Sequence, residues 1–133
     1  MPNIITRGSG SVQSFGFSAS SGPWKKRGFA TGYWSGTACS SDGSVMYVAG
    51  QSSNYVYSST DGGVTWTQRN PTGGAAGEYY NVTCSSDGSK VLVASYGYVY
   101  ISSNYGASWT QIMPNSGSAY PGSQSWNGLA MST

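Results

Sequence analysis

Apolar and polar positions alternate over short stretches of this chain, and clusters of Gly, Ser, Asp and Asn interrupt them. Period-two alternation bounded by turn residues predicts β-strands. One stretch reads as four of them, at residues 36–41, 45–50, 55–59 and 64–69. "SDGS" at 41–44 fits the first hairpin: Asp42 accepts hydrogen bonds from turn amides, and Gly43 takes the positive φ that other residues resist. Asp87 and Gly88 repeat this arrangement further along.

The pattern is written twice. "WSGTACSSDGSVMYVAG" begins at Trp34, and "YYNVTCSSDGSKVLVAS" begins at Tyr79. They continue into "YVYSSTDGGVTWTQ" and "YVYISSNYGASWTQ". Trp66 and Trp109 lie 43 residues apart, and Cys39 and Cys84 lie 45 apart. A unit of roughly 40 to 45 residues with four strands is the size of a β-propeller blade. The expected fold is therefore all-β, with four-stranded antiparallel blades at 34–70 and 79–113. Residues 22–28, with Trp24 lying 42 before Trp66, read as the last strand of a preceding blade. Residues 126–133 read as the first strand of a following one, with Met131 in the place of the cysteines. A lone blade cannot bury its faces. The expectation is a partial or truncated propeller; several copies completing a ring, a homo-oligomer, is the alternative.

Composition sharpens this picture. Charged residues make up 8% of the 133, aromatic residues 14%, and there is no histidine. Low charge with many aromatics, Ser, Thr and Gly suits strands and tight turns rather than disorder. The net charge of +2 steers nothing strongly. Lys25-Lys26-Arg27, on an expected strand, reads as a solvated face and not as a nucleic-acid footprint. No apolar run approaches a membrane span, and "MPNIITRGSG" lacks the layout of a signal peptide. Synthesis in a cytoplasm without export by the general route is expected. Cys39 and Cys84 hold equivalent places on neighbouring blades, on the order of 10 Å apart. That exceeds the reach of a disulfide, so both are expected to be small buried hydrophobes.

Residues 59–66, "STDGGVTW", match the Asp-box pattern S-x-D-x-G-x-T-W at Ser59, Asp61, Gly63, Thr65 and Trp66. Residues 102–109 match it with Asn104 for aspartate and Ser108 for threonine, beside Ser102, Gly106 and Trp109. The chain from about residue 22 onward thus resembles sialidase-like Asp-box β-propellers. The resemblance implies that the box is a structural turn between strands three and four, away from the ligand site. An amide at Asn104 fills the accepting role of Asp61 without charge, which suits a turn and not an acid catalyst.

In an up-and-down blade the two "DG" turns share one rim. The longer, less repetitive links at 28–33, 51–54, 73–80, 95–98 and 114–126 share the other. Function concentrates on loops held by a rigid scaffold. That rim carries Phe29, Tyr33, Tyr79, Tyr80, Tyr96, Tyr98, Tyr120 and Trp126. Rings beside amides and hydroxyls suit a glycan or protein surface. The ligand-binding candidates are Tyr79, Tyr96, Tyr98, Tyr120 and Trp126. Packing between blades is the competing role, above all for Tyr33, Tyr80 and Trp126.

Catalysis is not expected. Asp42, Asp61 and Asp87 are committed to turns, which leaves Glu78 alone, and glycoside cleavage needs a second carboxylate or a tyrosine with its acid. The arginine cluster that grips sialic acid in the resembled family is not recognisable in Arg7, Arg27 and Arg69. No cofactor and no metal site is expected.

Residues 1–21 do not repeat and read as an extended arm with Ile4, Ile5, Phe15 and Phe17 as anchors. "RGSGSVQSFGF" resembles the starts of phage tail-fibre and other virion structural proteins. The expected function is a non-enzymatic virion component, a tail-fibre or receptor-binding protein assembled in the host cytoplasm. Its arm would meet other virion or tail proteins. Its propeller face would meet a host surface glycan or protein, with no nucleic-acid partner and no membrane insertion. The alternatives are a non-viral Asp-box assembly module and a sialidase-like glycosidase fragment.

Overall fold

A computed structural model gives the fold and describes residues 32–51, 55–74, 77–112 and 128–132. Eight strands follow one another along the chain: β1 (Trp34–Cys39), β2 (Met46–Gly50), β3 (Val56–Ser59), β4 (Thr67–Arg69), β5 (Tyr79–Cys84), β6 (Val91–Ser95), β7 (Val99–Ser102) and β8 (Thr110–Ile112). They form two four-stranded antiparallel sheets, each in the order of the chain. β1 and β4 differ from their expected limits. β4 begins at Thr67 because residues 64–66 are consumed by the preceding turn. β1 begins at Trp34, where a bulge between Trp34 and Gly36 shifts the register; β5 carries the same bulge between Tyr79 and Asn81.

The sheets stack face to face. Ala38, Tyr47, Ala49 and Val56 of the first meet Val82, Val91, Val93 and Tyr100 of the second, with Val45 and Tyr79 in the same cluster. Full burial of a side chain such as Val56 or Val91 stabilises the fold by about 1.5–3 kcal/mol. Gly36 sets how closely the sheets approach, because a Cβ there would lie 2.9 Å from Asn81 Cα and from Val82 N. Two hydrogen bonds fasten the contact at one end: Tyr47 Oη donates to Gly88 O (2.8 Å), and Ser41 N donates to Ser86 O (2.8 Å).

The serine-to-tryptophan turns fold as local hydrogen-bond cages. Ser59 Oγ donates to Asp61 Oδ1 (2.8 Å) and accepts from Gly63 N (2.8 Å). Asp61 accepts from Thr65 N (2.8 Å) and Thr65 Oγ1 (2.6 Å), and Trp66 Nε1 donates to Gly63 O (3.1 Å). The second copy substitutes as expected: Asn104 Oδ1 accepts from Ser102 Oγ (2.9 Å) and Ser108 N (2.9 Å), while Asn104 Nδ2 donates to Ser108 Oγ (2.8 Å). Each cage is stitched to the neighbouring hairpin of its own sheet, Gly62 N to Ser44 O and Tyr105 N to Ser89 O, both at 2.9 Å. The "SDGS" hairpins use the same grammar, with Asp42 accepting from Ser40 Oγ and Ser44 N, and Asp87 from Ser85 Oγ and Ser89 N.

Two expectations need correction. Cys39 is exposed and Cys84 only partly buried, so neither is a core hydrophobe, although both thiols are free. Cys84 faces the first sheet and packs at the margin of the core, whereas Cys39 lies on the outer face of β1 that no described residue covers. Residues 128–132 form no strand. Leu129 and Met131 are half-buried there between exposed neighbours, but among the described residues no strand pairs with them. The expected arm at 1–21 and the expected strand at 22–28, with Lys25-Lys26-Arg27, lie outside the described residues.

Candidate functional site

The β6–β7 hairpin turns through Tyr96 and Gly97. Ser95 N donates to Tyr98 O (2.8 Å), and Gly97 takes φ +75°, the left-handed region that glycine enters without a Cβ clash. Tyr96 therefore stands at the tip, 46% exposed, with Tyr98 behind it at 36%. The link between the sheets arrives alongside. Ser95 Oγ donates to the Glu78 carbonyl (2.8 Å) and fixes that residue against the hairpin. Tyr80, two residues on, donates its hydroxyl to Glu78 Oε2 (2.7 Å).

Between hairpin and link lies a groove of about 530 Å³ lined by Thr72, Gly77, Glu78, Ser95, Tyr96, Tyr98, Tyr100 and Gln111. Its volume falls in the range of small-ligand sites. Tyr98 and Tyr100 form a tilted pair, with centroids 6.5 Å apart and planes at 54°. Tyr100 and Gln111 are paired across β7 and β8. Burial pushes the Tyr100 hydroxyl up from its ordinary pKa, so it remains a neutral donor.

The expected ligand residues separate here. Tyr96 and Tyr98 come together in the groove. Tyr79 does not: it is fully buried in the core between the sheets, which is a correction. The bulge after it lets β5 turn this ring inward, and its hydroxyl lies beside Gly77, where a Cβ would come within 2.9 Å of it. Burial raises its pKa. Tyr120 and Trp126 lie outside the described residues. Tyr33 is 78% exposed and so does not pack between the sheets, while Tyr80 is half-buried.

Sequence reasoning missed Tyr100, Gln111 and Thr72. A signal for the first two existed: Tyr57 and Gln68 hold the same places in the first unit and are likewise paired across strands. The turn residues Ser59, Asp61, Gly63, Thr65 and Trp66, with Ser102, Asn104, Gly106, Ser108 and Trp109, are absent from the groove lining. Hydrogen bonds from Thr65 and Ser59 hold Asp61 at a pKa of about 2, and those from Ser40 and Ser44, and from Ser85 and Ser89, do the same for Asp42 and Asp87 in the other hairpins. Hydroxyls and amides that donate to a carboxylate favour its charged form.

No protein-family model and no curated protein matches the chain. Among solved structures it is similar to YCF48 from Cyanidioschyzon merolae, a β-propeller protein, with a TM-score of 0.57 and 22% sequence identity. The match covers 71% of this chain and 31% of that one, so the chain spans about a third of that structure's length. These sheets are β-propeller blades. The groove lies at one rim of stacked blades and brings aromatic, amide and carboxyl groups side by side.

Proposed function

We propose that this chain is an Asp-box β-propeller protein of a virion, a non-enzymatic tail-fibre or receptor-binding component. Residues 1–21 attach it to the particle, and the groove rim engages a host surface glycan or protein. The groove carries the binding half of this reading: two exposed tyrosines, a carboxylate and an amide are held on rigid sheets at one rim. Loops on such a scaffold present binding residues at low entropic cost. The Asp-box assignment is supported by two turns whose aspartate or asparagine is consumed by hydrogen bonds within the turn. The particle half rests on the resemblance of "RGSGSVQSFGF" to virion proteins. The non-enzymatic reading is supported by three of the chain's four acids being spent on turns.

Fluorescently labelled full chain, added to a panel of bacterial cells, tests the binding role. Labelling of some strains is expected, lost with Tyr96→Ala and kept with Asp61→Asn. Absence of labelling across the panel overturns it. Mass spectrometry of purified particles tests the virion assignment, and finding the chain only outside particles overturns that.

The Tyr80–Glu78 hydrogen bond favours one second reading, a glycosidase fragment with a tyrosine activated by its acid. Turnover of a fluorogenic sialoside that disappears with Tyr80→Phe would establish it.

A further inference from the structure

We infer that the groove takes an uncharged saccharide and discriminates against acidic ones. This deepens the binding role proposed above and rests on it. Among the described residues, Glu78 is the single formally charged one in the groove lining. The two cations among the described residues are engaged elsewhere. Arg69 Nε donates to Ser58 Oγ (2.9 Å), and its stem runs against the turn at Gly106. Lys90 closes the β5–β6 hairpin, at the opposite end of β6 from Tyr96. A sialylated or sulfated ligand would thus meet a negative charge with no compensating cation among the described residues of the lining. Even at water-like screening, two such charges a few ångströms apart weaken binding by about fivefold.

The same residues suit a neutral sugar. A carboxylate accepts from two adjacent hydroxyls at once. Tyr80 occupies Glu78 Oε2, and among the described residues Oε1 has no partner. The Ser95 bond to the Glu78 carbonyl keeps this acceptor at the groove edge. Tyr96 offers a half-exposed ring as an apolar platform for the C–H face of a pyranose, and the Tyr98–Tyr100 pair forms a second aromatic wall. Gln111 supplies both a donor and an acceptor.

The test is an array of uncharged, sialylated, sulfated and amino saccharides probed with the full chain. Uncharged saccharides should dominate the bound set. Tyr96→Ala should abolish the signal. Glu78→Gln should weaken uncharged ligands by about tenfold, the worth of one charge-assisted hydrogen bond, and narrow their advantage over sialylated ones. Both side chains are exposed, so melting curves of the variants should match the parent. Dominance of acidic or amino saccharides overturns the inference. So does binding to no saccharide by a chain that still labels cells, an outcome that leaves the binding role standing with a protein ligand. Failure on the array and on every cell strain removes the binding role itself.

Discussion

Tyr47 in the first blade and Gly88 in the second are joined by one hydrogen bond, the tyrosine hydroxyl donating to the glycine carbonyl at 2.8 Å. Both residues are buried, so the carbonyl has no water to replace that donor. Burial also keeps the phenol protonated, its pKa pushed up. Tyr47→Phe retains the ring and strands the acceptor. A loss of about 1–2 kcal/mol is expected in chemical denaturation, with an unchanged slope. An unshifted midpoint would show that the bond does not tie the blades together.

Two glycines should respond to alanine for different reasons. At Gly36 the added methyl would meet Asn81 Cα and Val82 N at 2.9 Å, and backbone cannot swing aside. The blades must part, at a cost of about 1–3 kcal/mol. At Gly43 the methyl enters open space, and only the left-handed backbone at φ +72° resists it, at about 1 kcal/mol. Thermal melts should rank Gly36→Ala below Gly43→Ala.

Tyr105 occupies the place that Gly62 holds in the first turn. Its φ of +57° is left-handed, and its side chain is 42% exposed. A non-glycine residue in that region costs about 1–2 kcal/mol, and glycine there costs about 0.4–1 kcal/mol in unfolded-chain entropy. Tyr105→Gly should therefore stabilise the protein by about 0.5–1 kcal/mol, visible as a raised melting temperature. A lowered one would mean that the ring makes a contact worth more than the strain.

Acid should unfold the protein through its turns. The carboxyls of Asp42, Asp61 and Asp87 are lowered from 3.8 to about 2 by hydrogen bonds from Ser40, Ser44, Ser59, Thr65, Ser85 and Ser89. Between these values the unfolded chain binds more protons than the folded one. Their stabilisation is fully present above about pH 4 and is lost as the pH falls through about 2. Asn104 shows that an amide can hold the same cage. Asp61→Asn should keep stability at pH 7 and make the decline between pH 4 and 2 shallower, measured by denaturant titration at each pH.

Much of this architecture was legible in the chain. Strand order, the four-strand unit and the chemistry of both kinds of turn follow from residues two to five apart, such as Ser59 with Asp61 and Asp61 with Thr65. The start of β4 was misplaced because the apolar Val64 and Trp66 resemble strand residues, while the cage around Asp61 holds them in the turn. Half of the groove was legible too. Tyr96 and Tyr98 flank a glycine in a hairpin signal, but Tyr100 and Gln111 look like ordinary strand residues until the link through Glu78 comes to rest beside them.

Local sequence by itself determined the repeat and the turns, because their hydrogen bonds close within a few residues and need no distant partner. Which of two equivalent residues is buried was decided only by the tertiary structure. Thr37 is exposed where Val82 is buried, Tyr57 is half-exposed where Tyr100 is buried, and Cys39 is exposed where Cys84 is partly covered. Each pair shares its place in the repeat, yet only the second member faces a neighbouring sheet. Burial belongs to the surface that packs across from a residue, and two nearly identical strands carry no record of that surface.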